Sequence, residues 1–219
     1  MTEKAKIRVW DIAVRVFHWS LVVLFFVAYL SGDEESLLHV FAGYGVLALV
    51  AFRLLWGLVG TKYARFTNIL YGPAATLRYV KSIVSFKPLH YLGHNPLAGW
   101  MAVALLLCLT GVCWSGLELY GKQGYGPLAH AETRLMPSAR ADDDERERRG
   151  KRGRGKEEAD GEQFWEELHE ALSNLTLFLV LLHVAGALVS SAIHRENLIK
   201  SMLTGDKTVG RHGDRGTDA

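Results

Sequence analysis

The chain has few cysteines, and their spacing excludes several kinds of site. Only two of its 219 residues are cysteine, Cys108 and Cys113. They form neither a CxxC pair nor a CxxCH haem-attachment site. Five residues apart on one helix, they are not aligned for a disulfide. The sequence therefore predicts no disulfide framework and no covalently attached c-type haem.

Charge is also missing from long parts of the chain. Four segments contain no charged residue or only one, Arg53: residues 16–30, 37–59, 97–117 and 171–193. A helix needs about 20 predominantly apolar residues to cross the hydrocarbon core of a bilayer. We therefore predict an all-α membrane protein, a bundle of four transmembrane helices with spans at about 12–31, 37–58, 96–117 and 165–194.

The first apolar segment could also be a secretory signal, since Lys4, Lys6 and Arg8 precede it. However, no A-x-A-like cleavage site follows the segment. It ends in Tyr29-Leu30-Ser31-Gly32 and then acidic residues. We therefore expect this segment to remain as the first span.

The short loops differ in charge, which predicts an orientation. Residues 31–36 include three acids and no base, whereas residues 60–95 contain five bases and no acid. Cytoplasmic loops are enriched in Lys and Arg. We therefore expect the loop 60–95 and both termini, including a tail of residues 208–219, to lie in the cytoplasm.

A charged insert precedes the fourth span. Between residues 140 and 162 there are eight basic and nine acidic residues, several glycines and almost no apolar residue. Such a composition cannot bury a core. Residues 138–163 are therefore predicted to be a disordered periplasmic insert, either a solvated linker or a docking segment for a soluble partner.

Four of the nine histidines fall in or at the edge of the spans, where polar groups are costly and indicate function. His169 and His183 are 14 residues apart, so they share nearly one helix face and lie roughly 21 Å apart along the axis. His39 opens the second span at the depth of His169, and His18 matches the depth of His183. Depth therefore predicts two pairs, His39 with His169 outside and His18 with His183 inside.

The chemistry of these pairs favours haem. Zinc takes four protein ligands, or three and a water, and copper remains an alternative. Haem iron accepts one histidine on each face of a flat ring that fits between apolar helices. With both axial positions filled, electron transfer is favoured over oxygen chemistry. Gly43 and Gly186 reduce side-chain bulk near the histidines, either for the ring or for contact between helices.

Further candidate residues lie at the inner end of the spans. Arg15 is one turn before His18, and Arg53 is 14 residues after His39. Each could pair with a haem propionate or place its charge at the membrane interface. His94 and His194 lie at the inner ends of the third and fourth spans. They could form part of a quinone site or simply lie at the interface.

The sequence resembles the bacterial di-haem cytochrome b-561 family, which is related to the b-type cytochrome subunits of nickel-iron hydrogenases. The resemblance covers roughly residues 8–207 and rests on VWDIAVRVFHW, LHVFAGYGVLALVAFRLLWGLVGTKYARF, YLGHNPLAGW and LHVAGALVSSAIHRENLIKSMLTGDK. It implies one transmembrane cytochrome b domain (residues 1–207) in the bacterial inner membrane. Two haem b groups would be held by His18, His39, His169 and His183.

The resemblance also implies a function and partners. Electrons would pass between membrane quinone or quinol and a periplasmic redox partner, such as a c-type cytochrome or a dehydrogenase subunit. Hydrogenase-type subunits often have an additional span, so a different periplasmic partner is favoured, and no nucleic-acid partner is expected. The alternative is a stand-alone quinone reductase that uses a small molecule such as superoxide. A proton-relaying transporter is disfavoured, because acidic residues occur only at the ends of the spans, at Glu118 and Glu170.

Overall fold

The computed structural model describes residues 5–32, 36–85, 89, 91, 93–129, 144–194 and 196–209. Its elements in chain order are β1 (Ala5–Arg8), α1 (Ile12–Leu30), α2 (Leu37–Val59), a 3-10 helix (Phe66–Asn68), α3 (Pro73–Val84), α4 (Pro96–Lys122), α5 (Asp144–His194), α6 (Leu198–Thr204) and β2 (Asp206–Val209). The fold is therefore mostly helical.

The predicted spans are confirmed as helices. Within the described residues, four helices are long and apolar enough to cross a membrane: Ile12–Leu30, Leu37–Val59, Pro96–Lys122 and Ala159–His194. The first two agree with the prediction to within one residue at each end, because each begins directly after a capping side chain, Asp11 or Ser36. The third continues beyond residue 117 and the fourth begins before residue 165.

The charged insert differs from the prediction. Residues 144–163, expected to be disordered, form the first turns of α5, while residues 138–143 lie outside the described part. Glu, Lys and Arg have high helix propensity, and opposite charges three or four residues apart stabilise a helix. The adjoining span supplies the costly helical nucleus, so the charged turns need only propagate it.

The chain divides into two compact units. The first unit comprises Met1–Leu106 and Leu177–Ala219, and the second comprises Leu107–Thr176. In the first unit α1 packs against α2. Many of their apolar side chains are exposed, including Val23 and Leu55, as expected of surfaces that face lipid hydrocarbon.

The two ends of the chain meet in the first unit. β1 pairs with β2 in an antiparallel register, from Ala5 opposite Val209 to Arg8 opposite Asp206. Gly205 caps the C-terminal end of α6, and its φ of +89° favours glycine. An added Cβ there would lie 2.7 Å from the Trp10 carbonyl oxygen. Part of the predicted tail thus belongs to a sheet, and residues 210–219 lie outside the described part.

Candidate functional site

His39 is held by the backbone of the preceding helix. Its Nδ1 lies 2.9 Å from the carbonyl oxygen of Ala28 in α1. A carbonyl oxygen can only accept, so Nδ1 carries the proton and donates it. In a neutral imidazole Nε2 is then the nitrogen with the lone pair, which is the form of the ring that ligates a metal.

His169 has the same arrangement in the second unit. Its Nδ1 donates to the carbonyl oxygen of Val112 at 3.0 Å, and the hydroxyl of Ser115 lies 3.1 Å from the same nitrogen. Ser115 is completely buried. An added Cβ at Gly116 would approach the His169 ring to 3.0 Å, so this glycine leaves room for the imidazole. Both predicted outer histidines therefore have an oriented ring.

His18 and His183 are brought together within the first unit. Their imidazoles lie close enough to interact electrostatically. The Nδ1 atom of His18 is buried and has no hydrogen-bond partner in the described part of the chain. The fold thus brings together the two histidines that share a predicted depth, whereas His39 belongs to the first unit and His169 to the second.

Several buried side-chain nitrogens of the first unit have no hydrogen-bond partner in the part of the chain that the structure describes. Among the described residues, buried side-chain nitrogens without a hydrogen-bond partner are Arg15 Nε, His18 Nδ1, Arg53 Nη1 and His94 Nδ1. A buried polar group normally has a partner, and an arginine nitrogen can only donate. The two arginine nitrogens therefore indicate an acceptor that the described residues do not supply, as the carboxylates of a haem would.

The two arginines are nevertheless held in place. Arg15 Nη1 donates to the carbonyl oxygen of Leu203 in α6. The guanidinium of Arg53 lies 5.2 Å from the centroid of the Phe66 ring and is attracted by Asp11. Both side chains are thus positioned by contacts outside the spans, while one nitrogen of each remains available to an anion.

His94 lies under the N-terminal arm. Its ring packs edge-on against Trp10, with ring centroids 4.7 Å apart. Burial, which is the largest cause, and the nearby Arg53, His183 and Lys207 together lower the pKa of His94 to about 3. His94 is therefore neutral at physiological pH and belongs to the same region of the first unit as Trp10, Arg53 and Lys207. The other candidate for a quinone site, His194, is the last residue of α5.

The glycines near the histidines border open space. An added Cβ at Gly43 or Gly186 would meet no atom within 4 Å. By contrast, an added Cβ at Gly57 would lie 2.2 Å from the Phe66 ring. Close helix packing thus explains Gly57 but not Gly43 or Gly186. Open space one turn from His39 and from His183 suits a flat apolar ring.

A polypeptide-only metal centre has no comparable support. In the described ranges, no three His, Cys, Asp or Glu side chains come together as such a site requires. Axial ligation of haem needs only two imidazoles. The histidines, the unpaired donors and the open space beside two glycines therefore fit haem.

Some residues of the site were not identified from the sequence. Asp11 accepts a hydrogen bond from Trp56, and Trp10 packs against His94. The hydroxyl of Ser115 lies within hydrogen-bond distance of His169 Nδ1. A capping residue directly before an apolar run is a recognisable signal for Asp11. No local pattern indicates Trp10 or Ser115, because their partners are distant in the chain.

The comparisons with known proteins identify the family of the chain. The family model for prokaryotic cytochrome b561 matches residues 9–205. Searches of curated proteins and of solved structures gave no match. The match covers most of the chain and includes all four apolar helices, so the protein associates with lipid as a multi-pass membrane protein. The chain belongs to the prokaryotic cytochrome b561 family, whose members transfer electrons in the membrane as b-type cytochromes.

Proposed function

We propose that the chain holds two haem b groups, one between His39 and His169 and one between His18 and His183. The observation that carries this proposal is the hydrogen bond of Nδ1 to a backbone carbonyl, at Ala28 for His39 and at Val112 for His169. It orients each ring and leaves Nε2 as the ligating nitrogen. The proximity of His18 and His183 supports the second pair.

The surrounding residues would bind and orient the two groups. Arg15 and Arg53 would pair with propionates, which agrees with their buried nitrogens lacking an acceptor. Gly43 and Gly186 would let the rings approach α2 and α5. When bound, each haem would supply an iron atom that gains or loses one electron, and the two histidines of its pair would hold it.

The proposed arrangement makes residues 1–207 one transmembrane domain with both termini in the cytoplasm. The exposed side chains of Lys62, Arg65, Arg78 and Lys81, between α2 and α4, support this orientation. The pair His39 and His169 would then lie toward the periplasm. Electrons would be exchanged with quinone or quinol in the membrane and with a periplasmic c-type cytochrome or redox enzyme subunit. His94 and His194, at the ends of two spans, are the candidates for contact with a quinone headgroup, and the packing of Trp10 on His94 favours His194 for this role.

The haem proposal is tested by a reduced-minus-oxidised spectrum and a pyridine haemochrome count on the purified protein. We expect two haem b per chain, and one in each of the variants His183→Ala and His39→Ala, with different spectra. The exposed neighbour Val184 offers a control, since Val184→Ala should keep both. Two haems in His183→Ala would refute the pairing, and no haem in the unmodified protein would end the proposal.

The partners are tested by stopped-flow spectroscopy on protein in nanodiscs. A soluble quinol should reduce the haems, and an oxidised c-type cytochrome added on the periplasmic side should reoxidise them. Haem reduction by superoxide, together with no reaction with the c-type cytochrome, would instead support the stand-alone quinone reductase.

A further inference from the structure

We propose that Arg53 and His94 together bind one carboxylate of the haem between His18 and His183, so that His94 positions the cofactor. This inference rests on the proposed function. It adds His94 to that site as a positioning residue and names a haem carboxylate as the group that His94 binds. Its basis is a pair of buried nitrogens without a hydrogen-bond partner among the described residues, Arg53 Nη1, which can only donate, and His94 Nδ1, which donates when it carries the ring proton.

The two side chains reach one region from separate elements of the first unit. Arg53 extends from α2, His94 lies two residues before the start of α4, and His183 belongs to α5. His94 interacts electrostatically with both Arg53 and His183. The two nitrogens therefore belong to side chains within electrostatic range of His183, a proposed haem ligand.

The acids of this region are already engaged. Asp11 accepts hydrogen bonds from the Val14 amide at 2.7 Å, from Trp56 at 3.2 Å and from Thr61. The carboxylate of Glu196 lies 3.3 Å from Lys207 Nζ in an ion pair whose side chains are mostly buried. Neither acid accepts a hydrogen bond from the two buried nitrogens. A carboxylate from outside the polypeptide has about four lone-pair sites and can accept from both donors.

His94 suits this role because it is a neutral donor between cations. Arg53 and Lys207 both act on it, so a second positive charge on His94 would be unfavourable there. With the proton on Nδ1, the ring adds a hydrogen bond to the carboxylate without adding charge. Arg53 supplies the neutralising charge.

The N-terminal arm covers His94. The Trp10 ring packs on the imidazole, and its Nε1 donates to Ser201 Oγ at 3.0 Å. The amides of Val9 and Trp10 donate to the Gly205 carbonyl at 2.9 and 3.1 Å, which holds the arm in place. Hydrogen bonds are stronger where water is excluded. A covered histidine is therefore better suited to a fixed carboxylate than to a quinone that must enter and leave.

The test is a redox titration of the purified protein in nanodiscs, with the haem count measured on the same samples. In His94→Leu we expect both haems to be retained and the midpoint potential of only one to fall. The reason is that an unbonded carboxylate stabilises the more positive, oxidised iron. His94→Gln should restore the potential because its amide also donates. The control His194→Leu should change neither midpoint.

A second variant separates this role from a general packing effect. If both donors bind one carboxylate, the shift caused by His94→Leu should be smaller in an Arg53→Gln background than alone. Equal shifts in both backgrounds would overturn the shared site. Two unchanged midpoint potentials in His94→Leu would also overturn the shared site. If the same variant bound a soluble quinone analogue more weakly, His94 would belong to a quinone site instead. A protein with no haem would instead refute the proposed function itself.

Discussion

At the scale of single residues, Asp11 joins the beginning of α1 to the end of α2. One of its carboxylate oxygens caps α1 through the amide of Val14, and the other accepts from Trp56 and Thr61. Burial raises the pKa of Asp11, but the hydrogen bonds from Thr61, Val14 and Trp56 outweigh burial and lower it below its ordinary value of 3.8. One short side chain thus combines a helix cap with a contact between helices.

We expect Asp11→Ala to lower the free energy of unfolding by about 1–2 kcal/mol, because loss of an N-cap removes roughly that amount. The matched control is Asn197→Ala. Asn197 caps α6 by accepting a hydrogen bond from the Lys200 amide at 2.7 Å, a bond within one helix end. Chemical denaturation in detergent should show the larger loss for Asp11→Ala. Equal losses of unfolding free energy in the two variants would contradict the role of Asp11 in linking α1 to α2.

The same carboxylate predicts a dependence on acid. Because its pKa is lowered in the folded protein, its stabilisation is fully present above pH 3.8 and is lost as the pH falls through the folded value. Asp11→Asn should therefore be less stable than the unmodified protein at neutral pH. The difference should shrink in acid, which thermal unfolding at several pH values can measure. A difference that does not change with pH would be evidence against this role.

At the scale of elements, local sequence patterns predict the helices, but they do not predict what surrounds each glycine within a helix. Two glycines of α2 have opposite surroundings, since Gly57 faces the Phe66 ring and Gly43 faces open space. Nothing in the flanking sequence distinguishes them. The early start of α5 was also missed, because its composition suits both a solvated coil and a charged helix.

The α2 glycines lead to a paired prediction. Gly57→Ala should lower the melting temperature, because a methyl group there would overlap an aromatic ring, and overpacking typically costs about 1–3 kcal/mol. Gly43→Ala should leave it unchanged or raise it, while the bulkier Gly43→Leu should reduce the haem content. The measurements are thermal unfolding and a haemochrome count. Full haem content in Gly43→Leu would show that the ring does not use this space.

At the scale of the whole molecule, the paired ends of the chain support an even number of spans. β1 and β2 lie near opposite ends of the sequence and form one sheet, so we expect both ends to lie on the same side of the membrane. We expect this side to be the cytoplasm, because residues 60–95 contain five bases and no acid.

Reporter fusions can test the orientation. Alkaline phosphatase, which is active only outside the cytoplasm, should be inactive when fused after residue 219 or within residues 86–88, and active when fused after Lys122. A cytoplasmic reporter at the same positions provides the control with the opposite pattern. Phosphatase activity at the C-terminus would reverse the assigned sides, and with them the positions of the two haems.

The sequence by itself determined the membrane class, the four spans and the resemblance to the family. These depend on apolar length and on polar residues within it, and both can be read along a single segment. It also predicted the depth that His18 and His183 share. The tertiary structure alone decided which nitrogen of His39 and of His169 carries the proton, that His94 is covered by Trp10, and that the two ends of the chain pair. Each of these depends on contacts between residues distant in the chain, such as Val112 with His169 or Trp10 with Ser201, and the hydropathy of a segment contains no information about them.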